Sequence, residues 1–219
     1  MEHNFWHRRW AKKETAFHQG QANLRLKTYW PTLELPAGTQ VLVPLCGKSL
    51  DMVWLHAQGF AVTGVELSEV AVQAFFAERQ LKPTVEKQGE LVRYTAQAFE
   101  IFCGDLFALS PAAVSGIGAV YDRASLIAFP PDMRPSYVQH LARLCPANTR
   151  GLLISIEYPE EQMTGPPFSV REAEVEILFA DDFSLEYQAK FFSDGDLGHL
   201  GERGLKELTE KVYTLDRRS

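Results

Sequence analysis

The chain has 219 residues, a length suited to one large domain, and at 46% hydrophobic and 23% charged it can form a sizeable core. Its net charge of −6, with basic residues scattered apart from Arg8-Arg9, Lys12-Lys13 and Arg217-Arg218, argues against a protein that binds nucleic acid phosphates. No apolar run approaches the ~18 residues of a membrane span, the first residues lack the apolar core of a secretory signal, and the three widely spaced cysteines form neither a C-x-x-C nor a zinc pattern, so a cytoplasmic location is expected and a metal is not.

Residues 5–30 read as an amphipathic helical segment dense in aromatics: Phe5, Trp6, Trp10, Phe17, Tyr29 and Trp30. In an unbroken helix Trp6, Trp10 and Phe17 share one face. That face either packs on the domain or covers a flat ligand. Pro31 and Leu35-Pro36-Ala37-Gly38 then mark a loop. A strand at 41–44 is followed by a helix at 49–58 that stops at Gly59, and a second strand at 61–65 by a helix at 69–80. Ser68 suits the N-cap of that helix, and Val72, Phe75 and Phe76 its apolar positions. Residues 84–97 are polar and strand-like, with a hairpin about Gly89, and read as an insertion before a third core strand at 99–103.

A strand at 117–121 leads to a helix at 132–145, with Asp132 as its cap, and a strand at 150–157 runs into a loop holding Pro159, Gly165, Pro166 and Pro167. A helix over 169–179 starts at Ser169. The alternating segments 183–192 and 205–215 predict an antiparallel pair at a sheet edge, joined by turn residues 193–201. Strand and helix alternate throughout the middle of the chain, which predicts an α/β, doubly wound domain with a mixed sheet.

Ligands in such sheets bind beyond the carboxyl ends of the strands. Those ends carry Leu45-Cys46-Gly47, Glu66, Gly104-Asp105 and Asp122-Arg123. Acids there also cap helices, so each alone is weak. The first turn has a lone glycine, neither G-x-G-x-x-G nor G-x-x-x-x-G-K-[ST], whereas a pyrophosphate needs several approaching backbone N–H groups. A nucleoside without phosphates fits better, and S-adenosylmethionine is the common cofactor of that kind. A nicotinamide oxidoreductase is disfavoured on the same ground. Glu66, about 20 residues past the first strand, suits the two ribose hydroxyls. Arg123 either pairs with Asp122 or fixes a cofactor carboxylate, an anion or a heteroaromatic substrate by planar hydrogen bonding. Cys46 reads as a buried, inert thiol, and His3 and His7, four apart, as a surface pair.

Val43-Pro44-Leu45-Cys46-Gly47-Lys48-Ser49, Val65-Glu66-Leu67-Ser68, Asp122-Arg123-Ala124-Ser125-Leu126, Gly165-Pro166-Pro167-Phe168 and Trp10 with Thr15-Ala16-Phe17-His18-Gln19 together resemble the thiopurine S-methyltransferase family, in its bacterial branch. The resemblance spans roughly residues 5–192, and the tail after residue 192 matches less well. The resemblance implies a class I methyltransferase fold of Rossmann type, with a seven-stranded, mostly parallel sheet and helices on both faces. Residues 1–219 form one domain in this reading, and the aromatic segment up to about residue 36 is its lid. S-adenosylmethionine is the implied methyl donor and a small-molecule thiol the acceptor. The resemblance places Trp10 at the methionine or sulfonium portion, Leu45 on the cofactor through its backbone, Glu66 on the ribose, and Gly104 and Asp105 by the adenine. Arg123 falls between cofactor and substrate and is the catalytic candidate, and Phe17 lines the substrate pocket. A monomer is expected. Two alternatives stand beside thiol methylation: selenium or tellurium compounds as the physiological acceptors, and a non-catalytic nucleoside-binding regulator on the same fold.

Overall fold

The computed structural model describes residues 3–12, 14–15 and 18–219, and the backbone alone at His3. Phe17 and the His3 side chain therefore lie outside the described residues. The chain divides into two compact units, Glu2–Tyr121 and Asp122–Ser219.

In the first unit β1 (Gln40–Val43), β2 (Ala61–Glu66) and β5 (Phe99–Cys103) run parallel, with Val43 opposite Gly64 and Glu66 opposite Cys103. β6 (Ile117–Arg123) lies parallel to β1 on its other side, Leu42 opposite Val120. These registers bring the carboxyl ends of β1, β2 and β5 to one edge. α3 (Leu50–Ala57) follows the first of these ends. Its N-cap is Ser49, whose hydroxyl accepts from Asp51 N–H at 3.1 Å, and it stops where Gly59 turns left-handed at φ +91°. α4 (Glu69–Glu78) buries Val72, Phe75 and Phe76, and the Phe75 ring meets Phe99 and Phe76 edge-on at 5.1 and 5.3 Å. Such T-shaped contacts stabilise beyond the area they bury.

β3 (Thr84–Gln88) and β4 (Leu91–Ala96) form the hairpin about Gly89, which turns at φ +62°. The hairpin does not stand apart from the sheet. β4 pairs antiparallel with β5 from Val92↔Cys103 to Ala96↔Phe99. In the second unit α5 (Arg134–Leu144), β7 (Arg150–Glu157) and α6 (Glu172–Phe179) are followed by the long strands β8 (Phe183–Ser193) and β9 (Leu208–Arg217), with the short α7 (His199–Glu202) between them. β9 pairs antiparallel with both β7 and β8, as an antiparallel ending requires.

The strands fall in the order β3-β4-β5-β2-β1-β6-β7-β9-β8, nine among the described residues rather than the seven expected. The hairpin supplies the two extra strands, because Ala96 and Phe99 are close enough in sequence for β4 to turn back directly onto β5. The sheet is mixed: its centre is parallel and both ends are antiparallel.

Three helix predictions fail for local reasons. The aromatic segment is not one helix: α1 (His3–Ala11) ends early and α2 (Leu24–Tyr29) starts afresh. Asn23 caps that new start, its side chain accepting from Arg25 N–H and Leu26 N–H at 2.8 and 3.4 Å. Trp6 and Trp10 lie four apart on α1, and Phe17 is outside the described residues, so the shared face is seen only for the two tryptophans. Asp132 falls in a 3₁₀ turn (Pro131–Met133) ahead of α5 and does not cap it. Ser169 does not cap α6, because its hydroxyl accepts from Tyr158 N–H and donates to Tyr158 O, at 2.9 and 2.8 Å. Ser68 occupies the N-cap of α4 without a side-chain cap bond.

Gly64 shows how tightly β2 packs beneath the first turn. A Cβ there would lie 2.6 Å from Cys46 Sγ, far inside contact distance. Gly64→Ala is expected to cost about 1–3 kcal/mol through overpacking, and Cys46→Ala in the same chain to restore most of that loss. Urea denaturation of the single and double variants checks this; a double variant no more stable than Gly64→Ala would refute the steric account.

Candidate active site

The parallel ladders extend one bond past the strands of the first unit. Cys46 N–H donates to Val65 O and Gly104 N–H donates to Glu66 O, both at 2.9 Å. The two exits are thereby fastened to either side of the end of β2, where Glu66 sits. The turn after β1 is unusual in its backbone. Leu45 is left-handed at φ +44°, a conformation that costs a non-glycine residue about 1–2 kcal/mol. Strain of this kind gathers where the chain must hold a binding geometry. Gly47 is also left-handed, at φ +53°, and Trp10 lies over it: a Cβ at Gly47 would be 3.1 Å from the indole Cζ2. Both the backbone angle and the indole therefore favour glycine here. Trp10 is buried, so its ring packs on this turn and not on solvent.

Glu66 is buried at 6% exposure. Its Oε2 accepts from Gly47 N–H at 2.8 Å and its Oε1 from Ser68 N–H at 2.7 Å. Burial pushes its carboxyl up from the ordinary 4.5 to about 7, against the opposing pull of the N–H groups of Ser68, Gly47 and Leu67. The neighbouring thiols are held protonated. Burial, then the Glu66 charge, raises Cys46 well above the usual thiol range and Cys103 to about 12. Neither has the thiolate character of a nucleophile, which agrees with an inert Cys46. Gly104 is left-handed at φ +140° and follows β5 directly, and the Asp105 carboxylate accepts from Phe107 N–H at 3.0 Å, capping the 3₁₀ turn Leu106–Ala108.

In the second unit the exit from β6 is shaped by Asp122, which is fully buried. Its Oδ1 accepts from Ser125 and Leu126 N–H at 3.1 and 3.3 Å, and its Oδ2 from the Tyr137 hydroxyl at 2.6 Å. Burial raises the Asp122 carboxyl, with these donors pulling it back. Ala124, left-handed at φ +83°, completes a tight turn. Arg123 is the last residue of β6 and is half-buried, so its guanidinium springs from a backbone that Asp122 fixes.

The proline-rich loop is clamped as well. Tyr158 OH donates to Pro167 O at 2.6 Å and Phe168 N–H to Ile127 O at 2.7 Å. Arg203 donates from Nη1 to Pro166 O and from Nη2 to Gly165 O, at 2.6 and 3.2 Å. Gly165 is left-handed at φ +74° beneath the Phe168 ring, which leaves no room for a Cβ. Arg134 is buried behind it, bound to Glu174 Oε1, Phe129 O and Ser169 O at 2.6, 3.1 and 3.0 Å. Sequence reasoning missed Arg203 and Arg134: each reaches a partner at least 35 residues away in the chain and belongs to no motif. The loop's double proline was the one available signal.

Leu45, Gly47, Glu66, Gly104 and Trp10 are thus gathered about one end of the sheet in the first unit, with Asp105 beside them as a cap. Against that geometry, the sequence profile described as thiopurine S-methyltransferase (TPMT) matches residues 1–218. The chain belongs to the thiopurine S-methyltransferase family. The match reaches past the expected limit of about residue 192 and includes the C-terminal strands. Relatives named thiopurine S-methyltransferase include those of Azotobacter vinelandii, 47% identical with 100% of both chains covered, and Pseudomonas fluorescens, 46% identical over 98% of this chain and 99% of that one. Among solved structures, a SAM-dependent methyltransferase from Anabaena variabilis matches with a TM-score of 0.67 at 16% identity, over 99% of this chain and 95% of that one. A magnesium protoporphyrin IX methyltransferase from Synechocystis with bound SAM matches with a TM-score of 0.63 at 16% identity, over 100% and 98%. These likenesses establish the class I methyltransferase fold. No described helix is long and apolar enough to cross a membrane.

The first unit suits the cofactor of that family. A carboxylate is an acceptor with room for a second hydrogen bond on each oxygen. Buried among N–H donors and raised to about 7, Glu66 gains stability as an anion from any further hydroxyl donor. The lone Gly47 offers no cradle for phosphates, and a sulfonium nucleoside has none.

The raised Glu66 carries a sign. Its folded value, about 7, lies above the ordinary 4.5, so between those values the folded state binds more protons than the unfolded one. Its contribution is fully present below about pH 4.5 and is lost as pH rises through about 7. In urea denaturation without added ligand, Glu66→Gln is expected to remove up to about 3 kcal/mol of this downward slope between pH 5 and 8. An identical slope in both proteins would show that Glu66 titrates normally.

Proposed function

We infer that the chain transfers the methyl group of S-adenosylmethionine to the sulfur of thiopurines and related aromatic or heterocyclic thiols. The observation that carries this reading is the buried Glu66 carboxyl at the end of β2, held by Gly47 and Ser68 N–H, in a chain whose residues 1–218 match the thiopurine family. When bound, the cofactor would supply an electrophilic sulfonium methyl: the acceptor's sulfur would bond to that carbon in line as the carbon–sulfonium bond breaks and the neutral thioether S-adenosylhomocysteine leaves.

Glu66 accepts from the ribose hydroxyls, and the strained Leu45 turn offers its backbone to the same ligand. Trp10 covers the methionine or sulfonium side, and Gly104 and Asp105 border the adenine. Arg123, on its fixed turn, orients the acceptor and favours its thiolate electrostatically. Phe17 lines the acceptor pocket, and the segment up to about residue 36 excludes water as a lid. Heteroaromatic thiols ionise readily, so positioning can supply most of the rate without a general base. Selenium and tellurium compounds are soft nucleophiles too and are further acceptors in this scheme. The whole chain acts as one methyltransferase domain, a cytoplasmic monomer working on small molecules.

Transfer of a labelled methyl group to 6-mercaptopurine tests the activity. Arg123→Ala is expected to lower kcat about 100-fold and to change cofactor affinity less than about 3-fold. Equal losses in both would remove the acceptor-side role. Cofactor binding with no transfer to any thiol or selenol would favour a regulator instead.

A further inference from the structure

Asp51 lies in the first turn of α3, two residues past its Ser49 cap, and is 2% exposed. An acid there ordinarily complements the helix dipole from the surface. This one points inward and is spent on distant parts of the chain. Its Oδ1 accepts from the backbone N–H of Asn23 at 2.7 Å, across 28 residues, and its Oδ2 from the Tyr121 hydroxyl at 3.1 Å, across 70. Asn23 ends the stretch that joins α1 to α2. Its own side chain caps α2 and donates from Nδ2 to Gln19 Oε1 at 3.2 Å. Tyr121, near the end of β6, also holds the Trp30 ring edge-on at 6.0 Å. One buried carboxylate thus ties together the α1–α2 connection, the helix that leaves the Leu45–Gly47 turn, and the end of β6.

We propose that Asp51 is a positioning residue, a latch that fixes the start of α2 and through it holds closed the N-terminal segment whose Trp10 lies over the Gly47 turn; as a statement about catalysis this rests on the methyltransferase reading above. The physical case is the cost of undoing it. Hydrogen bonds to a charged group are strong, and a buried donor left without its acceptor carries its full desolvation cost. The Asn23 N–H and the Tyr121 hydroxyl therefore favour one arrangement of the segment. If the latch weakens, the segment is closed for only a fraction of the time, and apparent affinity falls by that fraction. Saturating ligand restores the closed form, so the turnover of the filled enzyme is spared.

The test compares Asp51→Asn, which keeps the shape but turns an amide N–H₂ toward one of the two donors, with Tyr121→Phe, which removes one donor and keeps the carboxylate. For Asp51→Asn we expect trypsin to cut after Arg8, Arg9, Lys12, Lys13, Arg25 or Lys27 at least 10-fold faster, with the remaining sites unchanged. KM for S-adenosylmethionine and for 6-mercaptopurine should rise about 5- to 20-fold with kcat within about 3-fold, and saturating S-adenosylmethionine should restore protection. Tyr121→Phe should move the same quantities in the same direction by less, and it decides the matter if Asp51→Asn does not fold. Unchanged cleavage and KM in both variants would overturn the proposal, as would faster cleavage along the whole chain with kcat falling in step with affinity. If the native chain transfers no methyl group yet Asp51→Asn is still cut selectively near its N-terminus, the activity reading fails and the latch stands.

Discussion

Everything at the candidate site turns on a carboxylate kept out of water. Glu66 ends β2 with one oxygen on Gly47 N–H and the other on Ser68 N–H. These bonds hold the turn after β1 and the start of α4 to a single side chain. They do not offset burial in full, as its rise to about 7 shows. The folded chain therefore holds a carboxyl that is only partly ionised near neutral pH, and whose charged form is stabilised further when something else donates to it. Ground-state strain set aside in this way is a common price of a preformed site.

The surrounding backbone serves the same end. Leu45 accepts an unfavourable φ, Gly47 makes way for the Trp10 indole, and Gly64 leaves space for Cys46 under the turn. None of these residues carries reactive chemistry. They set where N–H and C=O groups point, and the high Cys46 and Cys103 values keep thiol chemistry out of the crevice. In the second unit Asp122 does comparable work for Arg123 by binding Ser125, Leu126 and Tyr137 instead of facing solvent.

The strands and their exits were legible because a parallel core leaves short apolar runs closed by small or acidic residues. β5 and β7 fall on their predicted residues, and Gly59 and Gly89 stop the elements they punctuate. Side-chain bonds that compete with local propensity were not legible. Asn23 restarts a helix inside an aromatic run, and Ser169 prefers Tyr158 to the helix it precedes. The strand count erred because polar strands on an outer edge, such as β3, read as an insertion although their backbone completes the same sheet. Glu66 could be found by spacing from the first strand. Asp51 could not: a first-turn acid reads as a surface charge until Asn23 and Tyr121 are seen to converge on it.

If Glu66 is the seat of the ribose, ligand hydroxyls stabilise its charged form and must lower its pKa, so binding releases a proton near neutral pH. Calorimetric titration with S-adenosylmethionine at pH 6.5, in buffers of different ionisation enthalpy, measures that release directly. The account predicts roughly half a proton released or more, declining toward zero by about pH 8.5, with that release missing in Glu66→Gln. Equal release by the native chain and Glu66→Gln, or none at pH 6.5, would contradict it.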